Sequence, residues 1–204
     1  MKKLFYPLGA VTLTAVLLLI VNLQSGATED LDRYGQDVFG RMDFLLFFGF
    51  FGGEIFLATV SIAAILFLWF RRNNYVGMMV ILLAVAGGNV LNKLIKTATE
   101  RPRPGDPLAE AGYSFPSGHA MVSIIAAVVI IYLLTEKSGQ TAVQIMLFSG
   151  ALILSALAGL SRMPDQAHYF SDVVGGWLLG YTYAVICLLI YEVIMRRRRV
   201  ERNT

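Results

Sequence analysis

The sequence predicts an all-α polytopic membrane protein with six transmembrane helices and a short interfacial helix before the second span. Three observations predict it. Of 204 residues, 56% are hydrophobic and only 15% are charged, with a mean hydropathy of +0.64. A soluble domain cannot hide that much apolar surface behind so few charges. The apolar residues come in long blocks, with the charges confined to the gaps between them. Most of these blocks approach the ~20 residues that a helix needs to cross a ~30 Å hydrocarbon core. No internal repeat, low-complexity tract or second domain is visible, so residues 1–204 read as one integral-membrane domain.

The first span runs from Phe5 to Leu23, behind Lys2 and Lys3. Ser25-Gly26-Ala27 after it has the small-x-small look of a signal-peptide cleavage site. The apolar run is long for a signal peptide, and a retained span is expected. Next comes FLLFFGFFGGE, between Asp43 and Ile55, which is apolar but too short and glycine-rich to cross alone. It is expected to lie in the interface or dip into it. The remaining spans run from Ile55 to Phe70, Tyr75 to Ile95, His119 to Leu134, Val143 to Leu160 and Phe170 to Met195. Cys187 sits inside the last of them. As the one cysteine it forms no internal disulfide, and it reads as a small buried hydrophobe.

Six spans put both ends on one side. With the ends in the cytoplasm, the inner segments carry 10 basic and 3 acidic residues and the outer ones 7 basic and 11 acidic. The clusters Arg71-Arg72 and Arg196 to Arg199 then abut span ends on the cytoplasmic side, as the positive-inside rule asks. The arginine run is a juxtamembrane anchor in this reading, and no nucleic-acid partner is expected. Lys96, Arg101, Arg103 and Arg162 fall on the disfavoured outer side, and a bound anion is the natural reason to keep them there.

Three polar stretches end on that outer side. In SFPSGH, Pro116 restricts the residue before it and Gly118 frees the backbone, while Ser117 is a good N-cap for a helix starting near His119. The amides of such a helix N-terminus suit a phosphate; a plain capping turn with an interfacial histidine is the competing reading. In SRMPDQAHYFSD, His168 and Asp172 are four apart and share a helix face. A carboxylate bonded to one imidazole nitrogen leaves the other free as a nucleophile. Arg162 offers a planar fork for phosphate oxygens. KTATERPRP adds Lys96 and Arg103. Asn89, Asn92, Lys93 and Lys96 form a stripe at helical spacing, and for the first three a water-facing helix end explains it equally well. Metal binding is disfavoured, because no zinc-type histidine pattern occurs and cations dominate the cluster.

Together the stretches resemble the type 2 phosphatidic acid phosphatase superfamily. Lys96-TATERP-Arg103-Pro104 fits its K-x6-R-P motif, Pro116-Ser117-Gly118-His119 its P-S-G-H, and Ser161-Arg162-MPDQA-His168-YFS-Asp172 its S-R-x5-H-x3-D. The size and layout are similar to small bacterial members that act on phosphatidylglycerophosphate or undecaprenyl pyrophosphate. The resemblance implies metal-independent hydrolysis, without cofactor, of the terminal phosphate of a membrane lipid phosphate or pyrophosphate, phosphatidic acid included, at the extracytoplasmic face. Lys96, Arg103, Arg162 and the backbone near Ser117 and Gly118 would hold the phosphate. His168 would attack phosphorus to give a phosphohistidine, Asp172 would orient it, and His119 would serve as acid and then base. Met163 to Ala167 departs from the family's more aliphatic pattern, with Pro164 altering the turn and Asp165 standing either at a headgroup rim or in solvated loop. A lipid-phosphate binding or transport protein, or a transferase to an acceptor other than water, are the alternatives.

Overall fold

Backbone amides in hydrocarbon have no water to bond and must be satisfied within their own segment. The computed structural model describes residues 2–105, 112–136 and 141–203, and every expected span in it is helical. In chain order the helices are α1 (Lys2–Ser25), α2 (Glu29–Phe39), α3 (Gly49–Gly52), α4 (Glu54–Phe67), α5 (Tyr75–Thr99), α6 (Gly118–Thr135), α7 (Thr141–Leu160) and α8 (Phe170–Asn203). A 3-10 turn, Asp43–Phe48, leads into α3, and a π turn, Leu68–Arg72, extends α4. The π turn ends at Asn73, whose φ of 48° is left-handed. Six helices are long and apolar enough to cross a membrane, and no strand occurs among the described residues. The fold is therefore all-α and multi-pass, with the short apolar segment before α4 where the sequence puts it.

Helix α6 is the centre. A helix that is apolar all round has no face for water and goes inside. Met121, Ile125, Val128, Val129 and Leu133 of α6 are all buried, whereas α1, α4 and α7 leave Leu18, Ile62 and Ile153 on the outside. Helices α5, α7 and α8 pack around α6, α1 lies on α8, and α4 lies on α5. Lipid tails are as apolar as leucine, so close backbone approach has to hold the bundle together. Glycines provide it. A Cβ on Gly176 would stand 2.8 Å from the Ser117 carbonyl oxygen, and one on Gly88 would stand 2.6 Å from Ile125. The Gly87-Gly88 and Gly175-Gly176 pairs thus serve contacts within the chain.

The end of the bundle remote from the three motifs is pinned by a buried polar cluster. Asn74 donates to the Tyr191 hydroxyl at 3.0 Å, and Tyr191 donates to Glu136 at 2.7 Å. Tyr132 donates to Glu192, which ties α6 to α8.

Helix α2 is not anticipated by the hydrophobic pattern. Its buried positions are Asp32 and Gly35, while Leu31 and Tyr34 are exposed. A stripe made of an aspartate and a glycine carries no apolar period. The glycine is needed for fit, since a Cβ at Gly35 would overlap the Phe170 side chain at 2.2 Å. Phe39 stacks on the same Phe170 ring, with centroids 5.6 Å apart. These contacts seat α2 against the start of α8 and carry Asp32 to the site.

Candidate active site

The three motif stretches meet at one end of the bundle because side-chain and backbone hydrogen bonds tie them together. Asn92, from the stripe on α5, is buried and donates to the Pro116 carbonyl at 3.1 Å. Thr99 donates to the Phe115 carbonyl at 3.1 Å, and the Ser114 amide to the Arg101 carbonyl at 2.8 Å. The Phe115–Pro116 peptide is cis. The Ser117 amide donates to the Asp172 carbonyl at 3.0 Å, which fixes the start of α6 to the start of α8.

Ser117 occupies the N-cap position, with an extended backbone, φ −64° and ψ 120°. Its side chain makes no capping bond, contrary to the sequence expectation, and its Oγ is buried without a hydrogen-bond partner in the protein. The wedge of α8 at Gly176 and the Ser117–Asp172 backbone bond set this turn instead. The first amides of α6 have no intrahelical acceptors, and the helix N-terminus places partial positive charge at Gly118.

Lys96, Arg103, Gly118, His119, Arg162 and His168 line a single cavity of about 540 Å³. Its other end is apolar and runs between α4 and α5, past Leu57, Ile62, Ile65, Ile81 and Val85. Four cationic side chains, Lys93, Lys96, Arg103 and Arg162, line it against one carboxylate, Glu54. Two like charges ~8 Å apart at an effective dielectric of ~20 repel by about 2 kcal/mol, so a bound anion stabilises such a cluster. Backbone carbonyls aim the cations: Lys96 donates to Tyr113 at 3.0 Å and Arg103 to Ala167 at 3.0 Å. Arg162 pairs with Asp165 at 2.7 Å. Asp165, itself exposed, holds the fork of Arg162, and its second oxygen accepts from the Ala167 amide at 3.2 Å.

Ser117 and Asp172 do not line the cavity. Asp172 is fully buried behind His168, with its Oδ2 3.6 Å from His168 Nδ1 and 2.8 Å from the Tyr169 amide. That places Nδ1 against the carboxylate and leaves Nε2 as the ring nitrogen toward the cavity. Burial holds the His168 pKa below its ordinary 6.5; Lys96 and Arg103 push the same way, and Asp172 opposes them.

Sequence reasoning missed three contributors. Arg101 reaches Asp172 Oδ1 at 2.5 Å and Asp32 Oδ2 at 2.6 Å. Its position on the disfavoured outer side was a signal, but it pointed toward an anionic substrate, whereas the partners are carboxylates of the protein. Asp32 gave none, being one of several acids before the second span. The third is Gly52. A Cβ there would stand 2.7 Å from Cδ2 of His119, so the short helix α3 walls the imidazole. Gly52→Ala is expected to displace His119 and lower kcat about 10- to 100-fold, since misplacement near 1 Å costs on that order. Steady-state kinetics beside a thermal unfolding curve test it, and an unchanged kcat would show that the ring has room to move.

The family model of the PAP2 superfamily matches residues 77–196. Phosphatidylglycerophosphatase B of Bacillus subtilis (strain 168) is 33% identical over 132 residues, covering 63% of this chain and 64% of that protein. The match thus spans a little under two thirds of that relative. Lipid phosphate phosphatase 2 of Arabidopsis thaliana is 25% identical over 217 residues, covering 87% of this chain and 74% of that protein. Among solved structures, the transmembrane PAP2 type phosphatidylglycerolphosphate phosphatase from Bacillus subtilis superposes with a TM-score of 0.81 at 24% identity, covering 91% of this chain and 96% of that one. That likeness speaks for the fold, and the family model takes in all three motif stretches and more than half of the sequence: the chain belongs to the PAP2 superfamily.

Proposed function

We propose that this protein is a metal-independent lipid phosphatase that hydrolyses the terminal phosphate of a membrane lipid phosphate through a phosphohistidine, at the extracytoplasmic face. The observation that carries it is the cavity itself, cationic around His168 and His119 and apolar along α4 and α5. A free sugar phosphate has no use for the apolar end. A lipid does: its tails enter sideways between α4 and α5 while its headgroup reaches the cations. Relatives named as lipid phosphatases support the same reading.

The residues divide the chemistry as follows. Lys96, Arg103, Arg162 and the first amides of α6 hold the phosphoryl oxygens and stabilise the charge that builds on them. His168 Nε2 forms the bond to phosphorus as the bond to the leaving oxygen breaks. His119 gives that oxygen its proton. Water then attacks the phosphohistidine, losing a proton to His119, and inorganic phosphate leaves with His168 neutral again.

Among lipids, this reading extends to a phosphomonoester with a hydroxyl-bearing headgroup, on the strength of one carboxylate. Glu54 lines the wall, and Asn89 lies 3.5 Å from its carboxylate. A carboxylate there accepts from a headgroup hydroxyl and repels a second phosphate. Phosphate release in EDTA is therefore expected to rank phosphatidylglycerophosphate above phosphatidic acid and undecaprenyl pyrophosphate. Absence of release from all three by folded protein would favour a lipid-phosphate binding protein. A product that appears only with an alcohol acceptor would make it a transferase. The depressed pKa of His168 adds a second expectation. The attacking imidazole must be neutral, so the acid limb of kcat/KM should fall below the ordinary histidine value of 6.5. A limb at or above that value would count against His168 as the nucleophile.

A further inference from the structure

We propose that Asp32 of α2 is a positioning residue of this active site, acting through Arg101 on the Asp172 carboxylate that faces His168. The proposal rests on His168 being the nucleophile. In the proposed reaction Asp172 orients His168, whose buried Nδ1 has no hydrogen-bond partner and stands 3.6 Å from Asp172 Oδ2. Arg101 takes the other oxygen: its Nη1 bonds Asp172 Oδ1 at 2.5 Å and Ser171 Oγ at 2.7 Å. With Oδ1 held there and Oδ2 held by the Tyr169 amide, the carboxylate has one orientation.

Arg101 is itself held on three sides. Its Nη2 bonds Asp32 Oδ2 at 2.6 Å, and its guanidinium lies 4.1 Å over the Tyr169 ring. Asp32 Oδ1 accepts from the Ser171 amide at 2.7 Å, so Asp32 braces the cation and the first turn of α8 together. Both carboxylates are buried, and Arg101 is 18% exposed. A partly buried cation between two buried carboxylates is not a surface ion pair, and removing one partner leaves charge less balanced in a low dielectric. Asp32 lies outside residues 77–196, so α2 contributes to the site a part that the family match does not cover.

Neither Asp32 nor Arg101 lines the cavity, so substrate contact is not their role. Their charges act on His168 with opposite signs. His168, in the loop before α8, feels Asp172 in the first turn of α8, Lys96 on α5, and Arg103 from the following loop; Arg162 beyond α7 and His119 on α6 share its cavity. Asp32→Asn leaves Arg101 to be balanced by Asp172 alone. That weakens Asp172 as a partner of the ring, and the acid limb of the pH profile moves to lower pH. Arg101→Gln removes the cation and moves the limb to higher pH. Arg101→Gln frees the carboxylate and Asp32→Asn loosens the guanidinium that holds it, so each should lower kcat about 10- to 100-fold, the worth of a hydrogen bond to a charged group, with KM little changed. Arg101→Lys keeps the charge and should restore the limb but not all of kcat.

The test is the pH dependence of phosphate release by the full chain in membrane vesicles, for wild type, these variants and His168→Ala. Opposite limb shifts with unchanged KM are the expected result. A purely structural role would lower the amount of active protein without moving either limb, and that outcome overturns the proposal. Should one variant fail to accumulate, the limb of the other decides alone. Full activity of His168→Ala would instead overturn the nucleophile assignment, and so separates the two failures.

Discussion

His168→Ala is expected to abolish phosphate release, by about 10⁴-fold or more, while leaving the protein folded. Loss of the attacking atom removes the covalent route altogether, and what remains is the electrostatic stabilisation by the cation cluster. The imidazole is buried, so its loss leaves a small void beside Asp172. That void carries a stability cost, which a thermal unfolding curve in detergent measures separately. The second readout is covalent. Wild type quenched during turnover with labelled lipid should carry acid-labile, alkali-stable phosphate, and His168→Ala should carry none. A variant that keeps even a tenth of wild-type release would remove His168 from the reaction and leave the cavity as a binding site.

The spans were legible because hydrophobic block length is a one-dimensional property. Six apolar blocks became six helices, with ends within a few residues of expectation except at the end of α8, which runs eight residues past Met195 through the arginine run to Asn203. The residues around the cavity were legible for another reason. Lys96, His119 and His168 sit at span ends, and the three motif stretches fall on one predicted side. Positions that depend on a partner far away in sequence were not legible. Gly52 has meaning only once α3 folds against His119, and a glycine in FFGGE otherwise reads as interfacial slack. Asp32 and Arg101 are 69 residues apart, and each alone is an ordinary outer-loop charge. Asp165 shows the same limit on a short scale. Three residues from Arg162, it could face solvent, substrate or its neighbour, and its pairing with Arg162 is visible only once the turn is folded.

His119→Ala separates the two halves of the proposed reaction. His119 serves twice, first giving a proton to the leaving oxygen and then taking one from water. For a lipid phosphomonoester the leaving group is a poor one, so the first step needs the acid and release should fall about 10²- to 10⁴-fold. An aryl phosphate with an acidic phenol leaves without protonation, and its first step should proceed in the variant. The second step still lacks its base, so the phosphoenzyme accumulates. A burst of phenol close to one equivalent per enzyme, followed by slow turnover, is the expected signature, with the label retained on His168. His119 lines the same cavity as His168, within which both halves of the proton transfer would take place, and Gly52 of α3, on the same cavity, packs against its ring. A variant that loses the burst together with the turnover would place His119 in the first step for aryl substrates as well, as a phosphate-binding cation and not as the acid.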